Sequence, residues 1–244
     1  MLGSNGCGKS TLAKHFNGLL IPTRGDVFID GVNTKDEKKY FDIKKKVGMI
    51  FQNPDNQIVT SVVEEEIAFG LENLETEYNE MHKRIKESLA SIGMSGFEKK
   101  ATYSLSGGQK QLLAIASVLA MKPEIIVLDE PTSMLDPEGR KNIIDTIINL
   151  NKKYNITLLL ITHSVEEALL ADKVIIMGKG KIEAYAPPKE IFSDINFIKS
   201  ENFNVLESTQ ILYFLKQNEY DVSLKAFSNI DCANEIIKLL ENCK

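Results

Sequence analysis

The sequence predicts an α/β fold with a mostly parallel sheet, and two observations carry that prediction. Three short runs, at 125–129, 157–163 and 173–177, are continuously apolar, which is typical of parallel strands covered on both faces. Helical patterns lie between these runs, at 138–153 and 164–171. Because strands and helices alternate along the chain, the second half indicates βαβ units.

The other elements follow from local patterns of apolar and turn residues. Beyond about residue 200 the pattern weakens and predicts a small α+β extension. A helix ending before Pro123 is predicted because apolar residues recur there at helical spacing. In chain order, the predicted elements of the first half are a helix at 9–20, strands at 27–30 and 47–51, a polar loop at 52–57, helices within 62–92 interrupted near 73–79, and a helix at 108–121.

Composition and charge limit the possible classes of function. The chain has 244 residues, of which 43% are hydrophobic and 26% are charged, an ordinary globular composition. A net charge of −5 gives no reason to expect a nucleic-acid ligand. The cysteines, Cys7, Cys232 and Cys243, are odd in number and far apart, which favours a reducing compartment without a disulfide framework. Since no apolar run approaches the roughly 18 residues of a membrane span, we expect any membrane association to come through a partner.

The segment GSNGCGKS, at 3–10, matches the phosphate-binding pattern G-x-x-x-x-G-K-[ST]. Its glycines let backbone N–H groups turn toward phosphate oxygens, and the helix that follows adds its positive end. Lys9 is expected to contact the β- and γ-phosphates, and the Ser10 hydroxyl to ligate Mg²⁺. The alternative is a plain glycine-rich turn. The predicted nucleotide-binding residues of this segment are Gly3, Ser4, Asn5, Gly6, Cys7, Gly8, Lys9, Ser10 and Thr11.

The segment IIVLDEP, at 125–131, supplies two carboxylates at the end of an apolar strand. Asp129 is predicted to hold the metal, directly or through water. Glu130 projects beyond the strand end, where ligands bind in open α/β sheets, and can orient or deprotonate an attacking water. The alternative is a strand that simply ends in solvated acids.

The segment LSGGQ, at 105–109, predicts a second helix N-terminus suited to a phosphate. Ser106 is placed to cap the helix, and Gly107 and Gly108 permit close backbone approach. A single nucleotide does not need two such sites from one molecule. We therefore expect Ser106, Gly107, Gly108 and Gln109 to contact a nucleotide held by another subunit.

These motifs, together with Gln52, the segment SMLD at 133–136 and His163, resemble in order and spacing the ATP-binding cassette (ABC) ATPases. The resemblance covers about residues 3–190 and implies a P-loop NTPase fold. It implies that Gln52 links Mg²⁺ and the attacking water to the transporter, so that the metal is held by Ser10, Gln52 and Asp129. It further implies that Asp136 communicates across a dimer and that His163 contacts the γ-phosphate, giving Glu130, His163 and Gln52 as catalytic residues.

The same resemblance implies a division of the chain into an ATPase domain at 1–198 and a dimerisation-type extension at 199–244. Within the ATPase domain, the core would comprise 1–54 and 112–198, with a helical subdomain inserted at about 55–111.

A narrower resemblance is carried by residues 51–74, by PPKEIFS at 187–193 and by the extra C-terminal tail. These are similar to energy-coupling factor ATPases, including cobalt-transport ATPases. The resemblance implies a second ATPase subunit, identical or different, a transmembrane coupling protein and a substrate-binding membrane protein, with the chain at the cytoplasmic face. The cargo would be a metal ion such as cobalt or a vitamin, and residues 55–65 would shape the groove for the coupling protein.

Apolar residues of the tail have two interpretations, since they could either hold the dimer or fill a small private core. They are Leu212, Phe214, Ile236, Ile237, Leu239 and Leu240.

The sequence also departs from the family. Met134 lies where a smaller residue is common, and Leu112 where arginine is common. Members of the family carry a strand and an adenine-stacking aromatic residue before the phosphate loop, so we expect this loop to lack its supporting strand and the sequence to be incomplete. Two alternatives follow: an inactive subunit that completes a partner's ATP site, and a non-transport ABC ATPase acting on ribosomes or DNA.

Overall fold

A computed structural model describes residues 1–200 and 203–242. They form two compact units, the first from Met1–Lys9 with the described part of His163–Lys244, and the second from Ser10–Thr162. In chain order the strands are β1 (Leu2–Gly3), β2 (Phe28–Ile29), β3 (Val32–Asn33), β4 (Val47–Ile50), β5 (Ile125–Asp129), β6 (Thr157–Ile161), β7 (Val174–Gly178) and β8 (Lys181–Ala186). The helices are α1 (Lys9–Phe16), α2 (Tyr40–Lys46), α3 (Val63–Asn73), α4 (Tyr78–Ser91), α5 (Gly107–Ala120), α6 (Pro137–Tyr154), α7 (Val165–Ala168), α8 (Pro188–Phe192), α9 (Ile195–Ser200), α10 (Glu207–Gln217) and α11 (Asn229–Asn242).

The second unit is built on a parallel sheet in the order β4-β5-β6. Val127 in the middle strand is in register with Met49 on one side and Leu159 on the other. Its continuous apolar run is buried, because strands of a parallel sheet are covered on both faces. The sheet confirms the strand predicted at 125–129, and the strand predicted at 157–163 is present over Thr157–Ile161. The carboxyl ends of the two strands lie together at one edge.

Helices α3, α4 and α5 pack against one another in the same unit. The apolar core runs through them, and fully buried side chains include Ile67, Leu89 and Leu113. Leu112, at the position where the family commonly has arginine, is also buried in this core. Burial of a leucine there explains why the substitution is tolerated, since the side chain is packed and carries no charge to solvate.

The first unit contains a sheet in the order β1-β7-β8. β1 pairs in parallel with β7, with Leu2 opposite Ile176 and Gly3 opposite Met177. The expectation that the phosphate loop lacks a supporting strand is therefore wrong, although the strand is only two residues long. Leu2 is fully buried among the apolar residues of this unit, and its burial holds the short strand in place.

Three other predictions differ from the structure. The first helix ends at Phe16, not at residue 20, because Gly18 takes a left-handed φ of 71° and its N–H bonds to the carbonyl of His15. The extension was predicted as α+β, but its described residues form helices α10 and α11 and no strand. Similarly, the helix predicted at 164–171 is helical only over Val165–Ala168.

The structure bears out one interpretation of the tail's apolar residues, that they fill a small private core. Leu212 is fully buried with Val222 and Cys232, and Ile236 and Leu239 pack against this cluster. The tail therefore does have a small core of its own. The other apolar positions of the tail are largely exposed, with relative exposures of 66% for Phe214, 52% for Ile237 and 60% for Leu240.

In the part of the chain that the structure describes, no helix combines the length and apolarity required to cross a bilayer. Cys7 and Cys232 are free and buried. Cys243 lies outside the described residues.

Candidate active site

The phosphate loop follows β1 in the first unit. Gly3 has no room for a side chain, since a Cβ there would lie 2.4 Å from the carbonyl oxygen of Met177 and 2.5 Å from Sγ of Cys7. Gly6 and Gly8 take positive φ values of 77° and 102°, which residues with a Cβ rarely adopt. Each of these glycines is therefore required by the shape of the loop.

Lys9 points back into this loop. Its Nζ donates to the carbonyl oxygens of Gly3 at 2.8 Å and Ser4 at 3.1 Å, and the residue is only 5% exposed. An ammonium group has three donors and the two carbonyls use two of them, so the lysine retains a donor and its full charge for an anion. The loop thus encloses a positive charge at the start of α1.

Ser10 is the next residue along the chain, and in the second unit its hydroxyl donates to Oδ1 of Asp129 at 2.9 Å. Asp129 is the last residue of β5 and is 7% exposed. One hydroxyl and one buried carboxylate within contact distance fit Mg²⁺, which prefers oxygen ligands and takes the rest from water and substrate phosphates. No group of three His, Cys, Asp or Glu side chains that could hold a metal occurs among the described residues.

Gln52 and Glu130 meet at the same edge of the parallel sheet, just beyond the ends of β4 and β5. Nε2 of Gln52 donates to Oε2 of Glu130 at 3.2 Å and to the hydroxyl of Ser133 at 3.3 Å. Sequence reasoning predicted Gln52 and Glu130 but gave Ser133 no role. Its position in SMLD was noted, but the contact depends on the turn that follows Glu130, which the sequence did not reveal.

The N-terminus of α5 has the predicted cap. Ser106 Oγ accepts from the N–H of Gln109 at 3.3 Å, and Oε1 of Gln109 accepts from the N–H of Ser106 at 3.1 Å. This reciprocal capping box leaves the first two amides of the helix, those of Gly107 and Gly108, without an intrahelical partner. A Cβ on Gly107 would meet only Cδ2 of Leu135, at 3.9 Å.

An ion pair ties this helix to the loop after Gln52, because Nζ of Lys110 lies 2.6 Å from Oδ1 of Asp55. Asp136 has a local contact of its own: it caps α6 by accepting from the N–H of Gly139 at 3.1 Å. His163 is exposed and follows β6 after one intervening residue.

Comparisons with known proteins agree with these features. The family model described as ABC transporter matches residues 1–133, and one described as AAA domain, putative AbiEii toxin, Type IV TA system matches residues 101–169. An energy-coupling factor transporter ATP-binding protein EcfA1 of Clostridium perfringens is 46% identical over 239 residues, which cover 98% of this chain and 85% of that protein.

Two solved structures are also similar. CbiO1 of Clostridium perfringens, described as part of the ABC transporter complex CbiONQ, has a TM-score of 0.74 at 36% identity and covers 82% of this chain and 81% of that one. A dimeric ATP-binding cassette in a post-hydrolysis state, bound to ADP and Pi, has a TM-score of 0.67 at 30% identity and covers 77% of this chain and 83% of that one. With motifs, fold and relatives in agreement, the chain belongs to the ABC ATPases, among the ATP-binding proteins of energy-coupling factor transporters.

Proposed function

We propose that the chain binds and hydrolyses ATP to drive an energy-coupling factor importer from the cytoplasmic face of a membrane. The observation that carries the proposal is that the phosphate loop is followed directly, in the sequence, by the residue that bonds to the predicted metal-binding carboxylate. Lys9 lies within the loop, and the next residue, Ser10, bonds to Asp129. Phosphate recognition and metal coordination are thus assigned to adjacent residues of one chain.

In this proposal, residues 3–11 bind the phosphates of ATP through backbone amides and the charge of Lys9. Mg²⁺ would be held by Ser10, Gln52 and Asp129, and when bound it would neutralise charge on the β- and γ-phosphates. The hydrogen bond between Ser10 and Asp129 supports this assignment, because the two oxygens are already close enough to share one cation.

The catalytic residues would be Glu130, Gln52 and His163. Glu130 would orient the attacking water and accept its proton, while His163 would contact the γ-phosphate. The contact of Gln52 with Glu130, at 3.2 Å, supports a joint action of these two side chains. Catalysis would then consist mainly of positioning and charge stabilisation.

A second ATPase subunit, identical or different, would complete the site. Ser106, Gly107, Gly108 and Gln109 of one subunit would bind the nucleotide held by the other, and Asp136 would lie in the segment that communicates between them. Support comes from the first two amides of α5, which have no intrahelical partner and no bulky neighbour. ATP would close such a dimer by contacting both subunits, and hydrolysis would reopen it.

Opening and closing would move a transmembrane coupling protein, which works with a separate substrate-binding membrane protein. Residues 55–65 would form the docking groove, within a helical subdomain at about 55–111, and the exposed apolar residues of the extension at 199–244 would contribute to the dimer. The cargo would be a metal ion such as cobalt or a vitamin, and the similarity to CbiO1, described as part of the ABC transporter complex CbiONQ, supports a transporter of this type.

The test is a Glu130→Gln variant of the complete transporter. We expect ATP binding to persist and turnover to fall by about 10²–10⁴-fold, the usual contribution of a general base. A Glu124→Gln variant is the control, since Glu124 is an exposed glutamate of the same unit whose carboxylate pairs with Lys46. Unchanged turnover in Glu130→Gln would show that Glu130 is not the catalytic base. If the wild-type chain hydrolyses no ATP, either alone or with its partner subunits, the inactive-subunit alternative would be favoured.

A further inference from the structure

We infer that Ser133 is a positioning residue for ATP hydrolysis, which fixes both the backbone of Glu130 and the side-chain amide of Gln52. The inference rests on the proposed roles of Glu130 and Gln52. Ser133 lies three residues after Glu130, is exposed, and belongs to none of the motifs that contact phosphate or metal in the proposal.

Ser133 binds the carbonyl oxygen of Glu130 twice. The Ser133 hydroxyl donates to this oxygen at 3.0 Å, and the Ser133 backbone N–H donates to it at 3.2 Å. Glu130 has a left-handed φ of 50°, a conformation that residues with a Cβ seldom adopt. The two donors from Ser133 therefore hold Glu130 in a turn that its own backbone preference disfavours.

The same hydroxyl also determines the orientation of Gln52. A serine hydroxyl has one hydrogen, which it gives to the carbonyl of Glu130, so its lone pairs accept from Nε2 of Gln52 at 3.3 Å. The second hydrogen on Nε2 goes to Oε2 of Glu130. Because the amide nitrogen of Gln52 donates to both partners, the side-chain oxygen is the atom of this amide that can serve a cation.

One hydroxyl thus joins the turn of Glu130 to the amide of Gln52. Without it, Gln52 loses a hydrogen-bond partner, and the carbonyl of Glu130 loses a donor. Both losses affect the placement of catalytic groups and neither touches the phosphates. We therefore expect an effect on the rate constant of hydrolysis and none on the affinity for ATP.

The test compares Ser133→Ala, Ser133→Thr and Gln52→Ala, alone and as Ser133→Ala/Gln52→Ala, in the complete transporter. Thermal unfolding is measured for each, and turnover is expressed per folded protein. We expect Ser133→Ala to lower kcat about ten- to hundredfold at unchanged KM for ATP, and Ser133→Thr, which keeps the hydroxyl, to restore it. In the double variant the losses should be less than multiplicative, because the part of the Ser133 effect that acts through Gln52 is already absent, while the part that acts on the carbonyl of Glu130 remains.

The matched control is Ser200→Ala. Ser200 is also exposed, and its hydroxyl also donates to the carbonyl three residues earlier, that of Phe197, at 2.8 Å. Wild-type kcat in Ser133→Ala, equal loss in Ser133→Ala and Ser133→Thr, or fully multiplicative losses in the double variant would each overturn the inference. Glu130→Gln distinguishes failure of this inference from failure of the proposed function. If Glu130→Gln is inactive while Ser133→Ala has normal turnover, the proposed function stands and the inference fails.

Discussion

The N-termini of α1 and α5 have similar glycine-rich sequences, but the glycines are required for different reasons. Before α1, a Cβ on Gly3 would collide with the carbonyl of Met177 in the same chain. Before α5, a Cβ on Gly108 would be in ordinary contact, 4.0 Å from Cδ2 of Leu135. The first glycine is needed by the fold itself. The fold does not need the second, which is the expected difference if Gly108 serves a group from outside the chain.

The two helix starts also differ in how their polar groups are satisfied. The loop before α1 holds an internal cation, because Lys9 bonds to two of its carbonyls. The start of α5 has a neutral reciprocal cap between Ser106 and Gln109, and the lysine of its first turn, Lys110, pairs with Asp55. The start of α1 therefore combines a helix N-terminus with an enclosed cation. The start of α5 offers only the amides of Gly107 and Gly108, as expected if it contacts a nucleotide that another subunit holds.

Among the substitutions that compare the two helix starts, Lys9→Ala has the largest expected effect. Removal of the enclosed charge should lower ATP turnover by about 10²–10³-fold, as for loss of one donor from a preorganised anion site. The affinity for ATP, measured by equilibrium binding of a fluorescent analogue, should fall as well. Lys14→Ala is the control, since Lys14 lies on the same helix outside the phosphate-binding pattern. Equal effects of the two substitutions would show that general positive charge, not the loop, is responsible.

Gly3→Ala should act on folding. The added Cβ must displace backbone, which costs about 1–3 kcal/mol in the free energy of unfolding. Urea and thermal unfolding of the chain without nucleotide measure this loss. Wild-type stability in Gly3→Ala would mean that β1 is not held against β7 as tightly as the 2.4 Å approach to Met177 indicates.

Gly108→Ala should give the opposite pattern. Its stability should stay equal or rise by up to about 1 kcal/mol, because alanine is the better helix former. ATP turnover of the assembled dimer should nevertheless fall, about tenfold if the Cβ costs one contact of the partner's nucleotide. Full turnover with unchanged stability would indicate that no phosphate approaches this end of α5.

Elements with a local signal were predicted well. β5 coincides with the apolar run at 125–129, and α5 begins within one residue of its prediction because Ser106 and Gln109 form a cap that is visible in the sequence. Gly18, which ends α1, is also visible in the sequence, but the apolar spacing that includes Leu19 predicts a helix that continues past it.

Features that depend on distant residues were missed. β1 exists only because it pairs with β7, more than 150 positions later in the chain. Likewise, the link from Ser133 to Gln52 spans a sequence separation of 81 residues and depends on the turn between them. Periodicity within a short window carries no information about such contacts.

The left-handed backbone of Glu130 has a consequence for efforts to make this protein more heat-resistant. Glycine adopts the left-handed backbone without steric cost, so its introduction at Glu130 would relieve about 1 kcal/mol of strain. Lys122 and Glu219 share the same backbone region and lie outside the proposed active site, so they are candidates for such replacement. At Glu130 the same change would delete the carboxylate that the proposed mechanism requires, so the gain in stability would be accompanied by a loss of ATP turnover.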